Sequence, residues 1–198
     1  MKSKMIWAIL SMLLVNNFVL RAQTTVEKDG VVFMYEEEKL ARDVYDSMFV
    51  KWNLNPFGHI RKSERMHMTE MQSLLKKYHV KDPSLKDTDQ PGVFNNASLQ
   101  ALYNELVTKG SLSIKDALKA GALIEEVDIR DLKERKKNAV QKDIVEAYDF
   151  LIMGSENHLR AFCRNLKGEG LIYEPAILSR TDFDAIISAS NEMGGCSH

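Results

Sequence analysis

The sequence predicts an all-α fold: a four-helix bundle with one long crossover between helices two and three, plus short accessory helices. Three observations predict it. Only 4 Pro and 10 Gly occur among 198 residues, while 44% of the chain is hydrophobic, a composition suited to helices around one core. Four long stretches repeat apolar residues at steps of three and four, the period of a helix with one buried face. Between the second and third stretches, Val80 to Gly110 is long enough to cross the bundle end to end.

The chain starts with Lys2 and Lys4, then an apolar run from Ile6 to Leu14. This pattern reads as a secretory signal over 1–22, with cleavage after Ala22, and implies a periplasmic or secreted protein. A membrane anchor is the alternative. Asn16, Asn17 and Arg21 cut the apolar stretch short of the roughly 20 residues a spanning helix requires. Residues 23–30 are expected to be a flexible segment, 31–190 the bundle and 191–198 a tail. Export would permit a disulfide between Cys163 and Cys196; a free, buried Cys163 fits equally well.

The first long helix is expected over 31–52. Met34, Ala41, Tyr45, Met48 and Trp52 form its apolar stripe, with Glu37 and Glu38 at the two borders. Spacing does not choose between these glutamates. Asn53 to Pro56 break the helix, and Pro56 suits the first turn of the next. Phe57, Ile60, Met71, Leu74, Leu75 and Tyr78 mark the second stripe, with Glu64 and His67 inside it. Residues three apart share a helix face, so Glu64 and His67 can reach one ion.

After a loop to Asn96, a short helix runs to about Lys109, stopped by Gly110. Ser113 and Asp116 resemble a capping box ahead of the third long helix, which extends to about Lys136. Its stripe is Ile114, Leu118, Ala122, Ile129 and Leu132. Glu125 stands at the centre, Asp128 on the flank, and Glu126 points well away. The fourth long helix spans about Val140 to Lys167, with His158 in its stripe and Ser155 also facing inward. Glu156 lies about a quarter turn off and is a poor ligand candidate. A last short helix is expected near 181–190, capped by Ser179 or Asp182.

Acids and imidazoles seldom face a core unless they are paired or bind metal. Here Glu38, Glu64, His67, Glu125, Asp128 and His158 do so from four helices, the layout of a carboxylate-bridged metal site in a bundle. Oxygen and imidazole donors suit iron, manganese or zinc. Each residue alone has a plainer reading. Glu64 could pair with Arg42 or Lys39, and a single inward histidine is usually a satisfied core residue. The ten methionines, two of them at the start of the signal, fall mostly within helical stripes, as core residues do.

The residues also resemble a family. Glu38-x-x-Ala41-Arg42-Asp43-x-Tyr45, Glu64-x-x-His67 and Glu125-x-x-Asp128 are similar to helix motifs of rubrerythrin-type ferritin-like proteins. From about Met34 to Ala189 the chain resembles an uncharacterised bacterial and archaeal ferritin-like family of unknown function. The resemblance implies a ferritin-like bundle and di-iron roles. Glu38 and Glu125 would be terminal or bridging carboxylates, Glu64 a bridge, and His67 and His158 one imidazole each. Ser155 departs from that pattern, standing where a second bridging Glu belongs. A single metal, a water-filled second position or rescue by Asp128 would each answer the departure.

Net charge is −1, from 27 Lys+Arg against 28 Asp+Glu, which gives no electrostatic basis for binding nucleic acid. Three functions follow from the inward polar groups. One is an oxidase or peroxidase using iron, with Tyr45 or Tyr148 as a relay near the site. It would need an external electron donor, since the chain has only 2 Cys. The second is metal binding without catalysis, and the third is a metal-free helical interaction domain. A homodimer is compatible with each.

Overall fold

The computed structural model describes residues 2–81, 83 and 90–189, with side chains from Thr25 onward. Among them are six helices and no strand: α1 (Lys2–Trp52), α2 (Asn55–Lys77), α3 (Ala97–Gly110), α4 (Ile114–Asn138), α5 (Lys142–Gly168) and α6 (Arg180–Ser188). The four long helices close a ring. α1 packs on α2 and α4, while α5 packs on α4 and α2. α3 rests across α1 and α4, and α6 lies on α5.

Local chemistry sets the helix limits. Asn53 takes a positive φ of 48°, which asparagine tolerates better than most residues, and so turns α1 into α2. Pro56 then occupies the first turn of α2, as expected. The Asn96 side chain accepts from Ser98 N and Leu99 N to start α3. Ser113 caps α4 by accepting from Asp116 N, and Ser179 caps α6 by accepting from Asp182 N. Between the two candidates for that last cap, the serine serves.

The start of α1 departs from expectation. Residues 25–30 are helical rather than flexible, and Glu27 explains why they are held. Its Oε1 accepts from Val140 N at 2.5 Å and Gln141 N at 2.8 Å, satisfying backbone donors at the start of α5. The signal reading of 1–22 rests on side chains outside the described residues, as do Cys196 and the tail from 190 onward. Among described residues no helix is long and apolar enough to cross a membrane.

The core comes in two apolar clusters rather than one. Leu40, Tyr45, Met48, Phe57, Leu118 and Phe162 belong to the first. Val31, Met34, Met71, Leu75, Ile144 and Leu151 belong to the second. Along α1, α2 and α5 the division falls at Glu37–Glu38, Glu64–His67 and Ser155–His158. A polar layer therefore lies inside the ring, with apolar packing above and below it.

The crossover is tied along α1. Glu36 accepts from Asn95 N at 2.7 Å. The Lys39 ammonium donates to the carbonyls of Gln90 and Val93, and Asp43 accepts from Gly92 N at 2.9 Å. Trp52 Nε1 donates to Gly110 O at 2.9 Å. Gly92 is required here. Its φ is +76°, and a Cβ would come within 2.7 Å of the Tyr103 ring. Lys39 and Arg42 both pair with Asp43 at 2.6 Å, so they stabilise the crossover anchor instead of Glu64.

Glu126 points away from the stripe, as its spacing indicates, yet it is fully buried. The segment after α5 folds over it. Its two oxygens accept from Tyr173 Oη and from the backbone N–H groups of Ala176, Ile177 and Leu178. Replacing Glu126 with Ala strands four part-buried donors at once. Urea denaturation of Glu126→Ala is expected to show a loss of roughly 2–4 kcal/mol; an unchanged midpoint would mean that water replaces the carboxylate.

Candidate metal centre

Five of the six expected site residues converge in the polar layer. Glu38 comes from α1, Glu64 and His67 from α2, Glu125 from α4 and His158 from α5. They form two groups whose candidate ligand atoms lie within 4.8 Å of one another: Glu38, Glu64 and His67, then Glu64, Glu125 and His158. Glu64 belongs to both. Its Oε2 is 2.8 Å from His67 Nδ1, and its Oε1 is 2.9 Å from His158 Nδ1. His67 Nδ1 also lies 3.1 Å from Glu38 Oε2, and His158 Nδ1 3.5 Å from Glu125 Oε2. These buried acid and histidine groups could hold a metal.

The sixth residue, Asp128, stands outside both groups. Its Oδ2 accepts a hydrogen bond from Ser155, whose backbone position on α5 is where the resemblance expects a glutamate. Ser155 is thereby committed to Asp128 and to the Leu151 carbonyl. Glu156 is spent on Lys133 at 3.1 Å, away from the centre. Tyr148, an expected relay, is not at the centre. It lines a separate cavity with Glu27, Gly30 and Arg135, because its position on α5 falls about two turns before Ser155. Tyr45 is at the centre, and its hydroxyl donates to Glu125 Oε1 at 2.5 Å.

Polar atoms without partners gather in this layer. Glu38 Oε1, Glu64 Oε1, Asp128 Oδ1, His158 Nδ1 and both oxygens of Glu37 are buried with no hydrogen bond. Glu64 Oε1 and His158 Nδ1 are 2.9 Å apart and still lack one. Buried unpaired polar atoms are costly, and a shared cation is one way to satisfy several together. The chemistry of the donor set therefore fits a metal.

The charges at the centre act on one another. Burial alone would raise Glu64, but His158 and His67 outweigh it and hold its carboxyl well below the usual range. Burial pushes Glu38 up to about 7, although His67 pulls it back. Burial also raises Glu125 against the pull of His158. Asp128 is raised well above its usual range by burial and by the charges of Glu38, Glu37 and Glu125. Burial on its own would lower His158, yet Glu64 and Glu125 bring it up to about 10. His67 is raised in the same way by Glu38 and Glu64.

Packing fixes the rings. His67 and His158 stack with centroids 5.6 Å apart and planes at 29°, and Phe150 meets His67 edge-on at 5.6 Å. Tyr45, Phe57 and Phe162 form an aromatic floor with centroids 5.3–6.0 Å apart. One residue gains a role that sequence did not show. Gly154 has no inward polar group, but a Cβ there would lie 2.5 Å from His67 Nε2. Glu37 and Glu38 stand at the two borders of the α1 stripe. Both prove buried, and Glu38 is the one that meets His67.

Two outcomes are expected. Gly154→Ala should displace the His67 ring, at a cost on the order of 1–3 kcal/mol, and weaken metal retention; calorimetric titration with Co²⁺ measures the second effect. In metal-free protein, His158 and Glu38 both have folded-state pKa values above their ordinary ones. The folded state then binds more protons than the unfolded state, so stability falls as pH rises from about 4.5 through 10. Urea midpoints of chelator-treated protein should drop between about pH 6 and about pH 9. A midpoint rising over that interval would contradict the assignment.

The centre can be set beside known proteins. An uncharacterised protein of Methanocaldococcus jannaschii, MJ0754, is 45% identical over 168 residues, 85% of this chain and 90% of its own. A crystal structure of hypothetical protein MJ0754 from Methanococcus jannaschii matches with a TM-score of 0.81 at 45% identity, covering 83% of this chain and 93% of that one. Residues 27–190 match the family model of an uncharacterised protein domain, and the chain belongs to that family, DUF2202.

Proposed function

We propose that this protein is a ferritin-like four-helix bundle that holds two metal ions, iron foremost, bridged by Glu64. One observation carries the reading: Glu64 turns one oxygen to His67 and the other to His158. A carboxylate so placed between two imidazoles, each with a further glutamate beside it, has the disposition of a bridging ligand. Glu38 and His67 would hold one ion, Glu125 and His158 the other. Asp128 would supply the fourth carboxylate, aimed by Ser155 in place of the missing glutamate. Four carboxylates then match the charge of two divalent cations, with both histidines neutral, which removes most of the penalty for burying them. Manganese or zinc would fit the same donors.

An iron pair would supply electrons for reducing O₂ or a peroxide. The surrounding residues suit such chemistry. Burial and the Glu125 charge raise the Tyr45 phenol well above its ordinary range, so it keeps its proton and holds Glu125 Oε1 in place. The aromatic floor excludes water from that side. Electrons would have to come from an external donor. Export to the periplasm or medium is part of the proposal and rests on Lys2, Lys4 and the apolar run that follows. Cleavage after Ala22 would leave Glu27, the α5 cap, in the mature chain.

Metal analysis by mass spectrometry, on protein taken from its native compartment, tests the reading. About two irons per chain are expected by the dinuclear reading, with both lost in Glu64→Ala/His67→Ala. One metal per chain would leave a mononuclear site. No metal in either protein would overturn the proposal in favour of a structural polar core.

A further inference from the structure

A cavity of about 210 Å³ opens where α1, α4 and the start of α5 meet. Glu27, Asp131 and Glu134 line it, against a single guanidinium, Arg135. Asp131 also pairs with Arg130 at 2.6 Å and Glu134 with Lys137 at 2.8 Å, so an arriving cation meets carboxylates shared with exposed basic side chains, which it can displace. Gly30 and Tyr148 also line it.

Helix geometry joins this cavity to the metal centre. Gly30 and Glu37 are seven residues apart, two turns along one face of α1, or roughly 10 Å. Asp128 and Arg135 have the same separation on α4. The two helices run antiparallel here, since Gly30 meets Arg135 and Tyr45 meets Gly121 farther along. The α1–α4 seam thus leads from Glu27 and Glu134, past Asp131, to Glu37 and Asp128. There it reaches Glu38 and the centre.

Glu37 is the group along this seam that the bundle leaves unexplained. It is 2% exposed, and neither of its oxygens has a hydrogen-bond partner. It also lies outside both candidate ligand groups. The charges that act on it come from both directions: Asp131, Arg135 and Arg130 on one side, Glu38 on the other. A carboxylate held by no hydrogen bond can rotate between two such neighbours. A cation moving inward loses water at each step, and successive carboxylates compensate for that loss.

Resting on the dinuclear reading, we infer that this seam is the route by which a divalent cation reaches the buried pair, with Asp131 receiving it at the mouth and Glu37 passing it inward. Arg135, stacked 4.0 Å over the Phe33 ring, sets the opposing charge at the threshold. The seam governs the rate of loading, and the ligands govern its extent.

The test is stopped-flow uptake of Co²⁺ by the full, chelator-stripped chain, followed by visible absorption, with end-point stoichiometry measured separately. Glu37→Gln should load about tenfold more slowly or worse, with the same final stoichiometry and spectrum. Asp131→Asn should slow loading less, and Arg135→Gln should speed it. Glu105→Gln on α3, away from the seam, is the control and should load at the parent rate. A parent rate in Glu37→Gln would overturn the inference. A changed spectrum or stoichiometry would do so too, by making Glu37 a ligand. If Glu37→Gln does not fold, a parent rate in Asp131→Asn suffices to overturn it. A parent protein that takes up no Co²⁺ would instead remove the dinuclear reading on which the route rests.

Discussion

Burying several carboxylates in one layer of a helical core is the constraint around which the rest of this molecule is arranged. Glu37, Glu38, Glu64, Glu125 and Asp128 are each at most 5% exposed, and two imidazoles cannot neutralise five acids. An isolated buried carboxylate either takes up a proton or finds a cation. The apolar clusters on either side limit a third escape, since they leave the layer little contact with water. Ring packing, the aromatic floor and the close approach at Gly154 all keep these groups together. They hold a destabilising arrangement in place, as functional sites commonly require.

Much of this was legible in the sequence. The four stripes, the crossover and the caps at Ser113 and Ser179 follow from local periodicity and turn chemistry, which act within a few residues. Glu64, His67, Glu125 and His158 were legible because a polar group at the centre of an apolar stripe must meet a partner or an ion inside the core. The failures share a cause. Glu126 lies on the outer face of α4, and only the later fold of 173–178 over it makes that face an interior. Tyr148 lies on the inward face of α5, but periodicity gives direction and not depth, so it could not be assigned to the cavity rather than the centre. Glu37 and Glu38 stand at the two borders of the α1 stripe, and choosing between them needs the position of α2.

The crossover is more than a connection. Glu36, Lys39 and Asp43 project from α1 one turn apart and engage Asn95, Gln90, Val93 and Gly92. On the neighbouring face of those turns stand Glu37 and Glu38. One short stretch of α1 thus anchors the crossover on one side and contributes to the polar layer on the other. Any shift of α1 along its axis would disturb both, which ties the register of the centre to the anchoring of the crossover.

Glu27 has a different consequence, which concerns time. It caps α5 from 113 residues away in sequence, and closing a loop of that length costs roughly 4 kcal/mol of chain entropy before any contact repays it. The neighbouring hairpins, α1 with α2 and α4 with α5, need only short closures. A link of such high contact order belongs late in folding. The start of α5 then stays unsealed until both hairpins have met, and His158, four turns further along, is the last of the buried acid and histidine groups whose helix is fully secured. In this protein the centre is finished by a contact that the first helix makes with the last of the four long ones.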